Sequence, residues 1–134
     1  MSDLVIHGLF RHLSFHNVDE TRRHLTEALS AEGFRIFAIF DHAAAAQEVG
    51  LELPPTQVLV FGNPKGGTPL MLMAPTLAID LPSRILIRQE AHGRSEVYFN
   101  TLAALAQRHH LQGKNQEVMA FDKKIISLIR SSLA

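Results

Sequence analysis

Apolar residues recur along this chain in two rhythms, and the switches between them lay out its elements. From Leu4 to Phe15 apolar and polar positions alternate loosely, which predicts a first strand. Asn17 with Glu20 three residues later makes a capping box. Val18, Thr21, Leu25, Ala28 and Leu29 then fall on one helical stripe, and Gly33 stands where a left-handed terminal residue belongs. Phe34 to Phe40 is apolar on both faces except at Arg35. That pattern suits a central strand covered on both sides, or covered on one side by a partner chain. Asp41 is placed to cap a short helix, HAAAAQEV, which Gly50 stops, and Pro54–Pro55 stiffens the approach to a strand TQVLVF. Later, ILIRQE and SEVYFN flank HGR and predict a hairpin. Two helices close the chain: Thr101 to His110, ended at Gly113, and Asn115 to Leu133. The second carries Val118, Phe121, Ile125, Leu128 and Ile129 on one face.

Between the third strand and the hairpin lies the run FGNPKGGTPLM, read as a strand end, a glycine-rich loop and a helix start with Thr68 as cap and Pro69 as first residue. Such a sequence of elements presents backbone N–H groups and the positive end of a helix dipole to an anion. Gly62 and Gly67 have the spacing of a nucleotide P-loop, but Thr68 and Pro69 stand where its lysine and hydroxyl residue must be, which excludes that chemistry. The plainer reading is that Asn63–Pro64 and Gly66–Gly67 make two tight turns.

The order β-α-β-α-β-(α)-β-β-α-α predicts a single α+β domain over residues 1–134, a two-layer structure with a mixed sheet of about five strands. Composition narrows the function classes. Thirteen basic and thirteen acidic side chains cancel, so no summed field recruits nucleic acid or an anionic membrane. The absence of cysteine removes thiol chemistry, disulfides and thiolate metal sites and fits a reducing compartment. With no signal-peptide pattern and no apolar run of spanning length, a cytoplasmic protein without membrane partners is expected. Eight histidines show no H-E-x-x-H and no i, i+4 pairing on one helix, so no metal and no cofactor is expected. A serine-nucleophile elbow is also missing.

The segments FAIFDHAAAAQEVGLELPPTQVLVFGNPKGGTPLM, LAIDLPSRILI and the hairpin ending VYFN followed by LAALAQRHHL resemble the domain of unknown function 302 family. The resemblance runs from about Phe15 to the C-terminal helix. It implies a compact α+β domain, often a homodimer in crystals, with no settled reaction or ligand. The family's more acidic or tryptophan-containing segment after the fourth strand is replaced here by RQEAHGRSE.

If the strands before and after the AAAA helix are parallel neighbours, the Asp41–His42 pair and the glycine loop emerge at one sheet edge, where ligands of open parallel sheets bind. The expected site is therefore Asp41, His42, Asn63, Lys65, Gly66, Gly67 and Thr68, holding a small anionic or partly apolar ligand. His42 would act as acid, base or donor, and whether the domain is an enzyme stays open. The alternative is a non-catalytic homodimeric interaction protein in which these motifs are only turns and caps. Met119, Ile126 and Leu133 lie off the main stripe of the last helix and mark it as the expected dimer surface.

Overall fold

The computed structural model describes residues 6–134, so positions 4 and 5 of the expected first strand lie outside the described residues. Five strands and five helices follow in the expected order: β1 (Leu9–Ser14), α1 (Val18–Ala31), β2 (Arg35–Asp41), α2 (His42–Glu48), β3 (Thr56–Gly62), α3 (Pro64–Met73), a 3-10 turn (Pro75–Ile79), β4 (Ser83–Gln89), β5 (Ser95–Asn100), α4 (Leu102–Arg108) and α5 (Asn115–Ser132). The α+β class holds. The sheet, however, is antiparallel throughout rather than mixed, with the order β1-β5-β4-β3-β2.

The pairing of β2 with β3 carries the main correction. Arg35 lies opposite Gly62 and Asp41 opposite Gln57, so the two strands run in opposite directions. A parallel crossover must carry the chain back along the whole strand, which takes a dozen or more residues of connecting structure. The helix α2 is only seven residues long, about 10 Å, and the antiparallel register shows that the chain turns back beside β2 rather than crossing the sheet. The sequence between β2 and β3 therefore stays at one end of the sheet. β2 is also an edge strand, not a central one, and Phe37, Ile39 and Phe40 are 44%, 43% and 52% exposed.

The helices α1 and α5 cover one face of the sheet. Leu25 and Leu29 of α1 and Ile125 and Ile129 of α5 close over Leu59, Phe61, Ile85, Ile87, Val97 and Phe99, all fully buried. These strand residues alternate as a half-covered antiparallel sheet requires. On the other face Glu96 accepts hydrogen bonds from Arg11 at 2.8 Å and from the Tyr98 hydroxyl at 3.2 Å, and it pairs with Arg88. Burial pushes the Glu96 carboxyl up, but these donors and the two cations outweigh it and hold its pKa below the usual value. A second, smaller core joins Leu70, Leu77, Leu102, Leu105 and Val118 where α3, the 3-10 turn, α4 and α5 meet.

The two cores are tied by Asp122, a buried acid on α5. Its carboxylate oxygens accept from the Leu102 amide at 2.7 Å and the Ala103 amide at 2.9 Å, the first two residues of α4, while Thr101 caps the same helix through the Ala104 amide. Burial pushes the Asp122 carboxyl above its usual pKa against the pull of those two amides. Replacing it by alanine leaves two donors without partners, each costing roughly 1–3 kcal/mol. Asp122→Ala is therefore expected to lower the urea-unfolding free energy by about 2–4 kcal/mol. A loss under about 0.5 kcal/mol, the scale of an ordinary surface change, would show that water replaces the cap.

Candidate functional site

The run FGNPKGGTPLM does not fold as a loop followed by a helix at Pro69. Helix α3 begins five residues earlier, with Asn63 as cap and Pro64 at its first position, and Pro69 lies inside it. Both Asn63–Pro64 and Thr68–Pro69 are cap-and-proline pairs, and the earlier one sets the start. This changes the chemistry expected of the run. The Lys65 amide donates to Asn63 Oδ1 at 3.0 Å, and the Gly66 and Gly67 amides donate to the Asn63 carbonyl at 3.0 and 2.9 Å. Proline has no N–H to offer. The first-turn amides of the expected anion cradle are thus engaged by Asn63 itself.

The antiparallel pairing also divides the expected site. Asn63, Lys65, Gly66, Gly67 and Thr68 follow the C-terminal end of β3, whereas Asp41 and His42 follow the C-terminal end of β2, at the other end of the sheet. A seven-residue strand separates the two groups by about 20 Å. Asp41 caps α2 by accepting from the Ala44 amide at 2.9 Å, and His42 is exposed at that helix's first position. Neither belongs with the other five.

Those five line one side of a cleft of about 550 Å³, within the size range of small-molecule sites. Its walls are mostly hydrocarbon: Phe34 and Phe37, Pro69 with Leu70 and Met71 of α3, the cis Leu81–Pro82 peptide, Leu102 of α4 and Phe121 of α5. Lys65, Lys114 and Glu117 bring charge to it, and Asn63, Thr68 and Ser83 bring polar groups. Lys114 and Glu117 pair with each other at 3.5 Å. The Leu81–Pro82 wall is anchored from behind. Asp80 receives Arg108 at 3.0 Å and His109 Nε2 lies 2.5 Å from it, while His109 Nδ1 lies 2.9 Å from the Thr76 hydroxyl. Asp80 thus ties the 3-10 turn to the end of α4.

Phe34, Phe37, Leu81, Pro82 and Phe121 were not among the expected site residues. Each looks like core or turn in sequence, and only the tertiary meeting of α3 with α5 turns them toward one cleft. Leu70 is 8% exposed and takes part in both core and cleft.

Gly66 and Gly67 are the residues this geometry leaves unexplained by folding. Neither has a positive φ. A Cβ on Gly66 would meet nothing within 4 Å, and one on Gly67 would reach only Met71 Cε at 3.8 Å and Leu81 Cδ1 at 3.9 Å. Those are ordinary contacts, so Gly67 is not sterically required. Glycine within a helix costs up to about 1 kcal/mol relative to alanine. Gly67→Ala is accordingly expected to raise the midpoint of thermal unfolding, by the equivalent of about 0.5–1 kcal/mol. An unfolding midpoint below wild type would restore a conformational need for glycine here.

Fold and cleft together define an α+β structure built on an antiparallel sheet, with a largely apolar recess beside its first buried core. The chain belongs to the family described as Domain of unknown function DUF302, whose model matches residues 10–131. Its fold is shared by an uncharacterized conserved DUF302 protein from Bacillus stearothermophilus, with a TM-score of 0.86 over 96% of this chain and all of that one at 18% identity. Over 111 residues the chain is 40% identical to proteins named fluoride-specific ion channel FluC 1 from Brucella suis biovar 1 and Brucella abortus biovar 1. The match covers 83% of this chain but only 44% and 41% of those proteins, so the chain spans less than half the length of these relatives. None of the described helices is long and apolar enough to cross a membrane.

Proposed function

We propose that this domain binds a small, largely apolar molecule in the cleft beside α3. The observation that carries the reading is the pair Gly66–Gly67. Two adjacent helical glycines cost stability, no contact or backbone angle of the protein requires them, and both line the cleft. Room for a ligand against bare backbone supplies the missing reason. The ion-channel name of the Brucella proteins is not carried over: a hydrocarbon-lined recess is a costly place for a small, strongly hydrated anion. Binding rather than catalysis fits the cleft, because His42, the acid or base the sequence offered, lies with Asp41 at the other end of the sheet. A cytoplasmic setting remains part of the proposal. The neutral fluorescent probe N-phenyl-1-naphthylamine is expected to bind with a blue shift, and Gly67→Leu to weaken that binding at least tenfold while unfolding at wild-type temperature or above. An absent blue shift, or undiminished binding by the folded variant, would overturn the reading.

A second reading, self-association, is favoured by one observation: the open edge of β2. A strand with one open edge that carries exposed Phe37, Ile39 and Phe40 is a template for strand addition. Arg35 and Asp41 close its two ends, so antiparallel pairing of two copies brings opposite charges together. The C-terminal helix supports the dimer less well. Leu133 is buried in its own domain and Ile126 packs on the same core, which leaves Met119, 68% exposed. In sedimentation at low micromolar concentration a dimer is expected, and Phe40→Lys should dissociate it. A wild-type monomer removes this reading, and a dimer untouched by Phe40→Lys moves the interface away from β2.

A further inference from the structure

Charge at the mouth of the cleft bears on what kind of molecule enters it, an inference that rests on the small-molecule reading above. Three charged side chains line the recess: Lys65, Lys114 and Glu117. The last two neutralise one another across one turn of α5 at 3.5 Å. Lys65 has no ion pair among the described residues and stands exposed on the first turn of α3, beside Gly66 and Gly67. A further cation, Arg35, lies with its guanidinium carbon 5.5 Å from the centre of the Phe37 ring, which is itself a cleft wall. The recess thus has hydrocarbon walls and an unbalanced positive charge at its opening.

We infer that the ligand is an amphipathic monoanion, an acid whose hydrocarbon body fills the recess and whose anionic head meets the Lys65 ammonium at the mouth. Each half of this assignment answers a different feature of the cleft. An apolar body is what Phe34, Leu81 and Phe121 can desolvate without leaving polar atoms unpaired. A single exposed lysine suits a point charge that stays partly hydrated, in contrast to the fork of an arginine that grips a phosphate or carboxylate through two bonds. The head therefore remains at the rim while the body is buried, the arrangement long amphipathic side chains themselves adopt at apolar surfaces.

Three probes of equal chain length separate this inference from the reading beneath it: decanoate, decanol and decylammonium, each below micelle-forming concentration. Their affinities for the whole protein are measured by titration calorimetry at 20 mM and 500 mM salt. Decanoate is expected to bind roughly three- to five-fold tighter than decanol at low salt, with decylammonium weakest. That preference should shrink at 500 mM salt as the head's charge is screened. Lys65→Gln should abolish the preference while leaving the unfolding midpoint unchanged, since the side chain is exposed. Equal binding of decanoate and decanol to the wild type would overturn the anionic head, and a preference that persists in Lys65→Gln would overturn its seating on Lys65; either result leaves the apolar-ligand reading standing. Binding of none of the three would overturn both.

Discussion

Four phenylalanine rings hold this molecule's two halves in register, and both the core and the cleft depend on them. Phe34 meets Phe61 edge-on at 5.7 Å and Phe121 at 6.0 Å; Phe61 meets Phe99 at 6.5 Å, and Phe99 meets Phe121 at 6.3 Å. The cycle joins the segment after α1, strands β3 and β5, and helix α5. Its members come from positions 34, 61, 99 and 121, so no local segment can form it alone. Aromatic pairs at such distances add about 0.5–1.5 kcal/mol each beyond the area they bury. Two of the rings, Phe34 and Phe121, turn an edge or face to the cleft. The recess therefore inherits its shape from the most tightly constrained part of the core, as a site meant to hold its form without an occupant requires.

The direction of one strand decides what the rest of the surface can do. With β2 antiparallel to β3, the Asp41 end and the Asn63 end of the sheet face opposite ways. The alanine-rich helix α2 and its neighbours Val49 and Leu51, both widely exposed, then decorate one end. The glycines, the lysine and the aromatic walls gather at the other. No chemistry needing both ends can take place in one molecule. What remains at the cleft end is shape, hydrocarbon and the cations Lys65 and Arg35.

Much of the fold was legible in the sequence where the signals are local. The expected cap is formed, with the Glu20 amide donating to Asn17 Oδ1 at 2.8 Å, while the Glu20 carboxylate accepts from the Asn17 side-chain amide at 3.0 Å rather than from the backbone N–H of a full capping box. Gly33 has a φ of 85°, Gly93 turns the β4–β5 hairpin at 78°, and the stripe of α5 is buried at Val118, Ile125, Leu128 and Ile129. Strand direction was not legible, because an order of strand, helix and strand is shared by parallel crossovers and by antiparallel returns that carry a short helix at the turn. Only the seven-residue length of α2 hinted at the second. The cap of α4 by Asp122 was hidden for another reason. It is made by a residue about twenty positions away, and sequence rules for caps look only at near neighbours.

Glycines show how a local signal is read differently once its surroundings are known. Gly8 has a φ of 83°, and a Cβ there would come within 2.6 Å of the Ala104 Cβ; its carbonyl accepts from the Thr101 amide at 2.9 Å. Every feature of that position excludes a side chain, so its glycine is explained by packing β1 against α4. Gly66 and Gly67 meet none of these conditions, although in sequence they announce themselves far more loudly. In a helix ten residues long that already contains an internal proline, two glycines lower stability with no structural return. A fold shaped only for stability would carry alanine at both. The cost is localised at the wall of the recess that Phe34 and Phe121 also line, where the glycines leave bare backbone facing the space that the proposed ligand would fill.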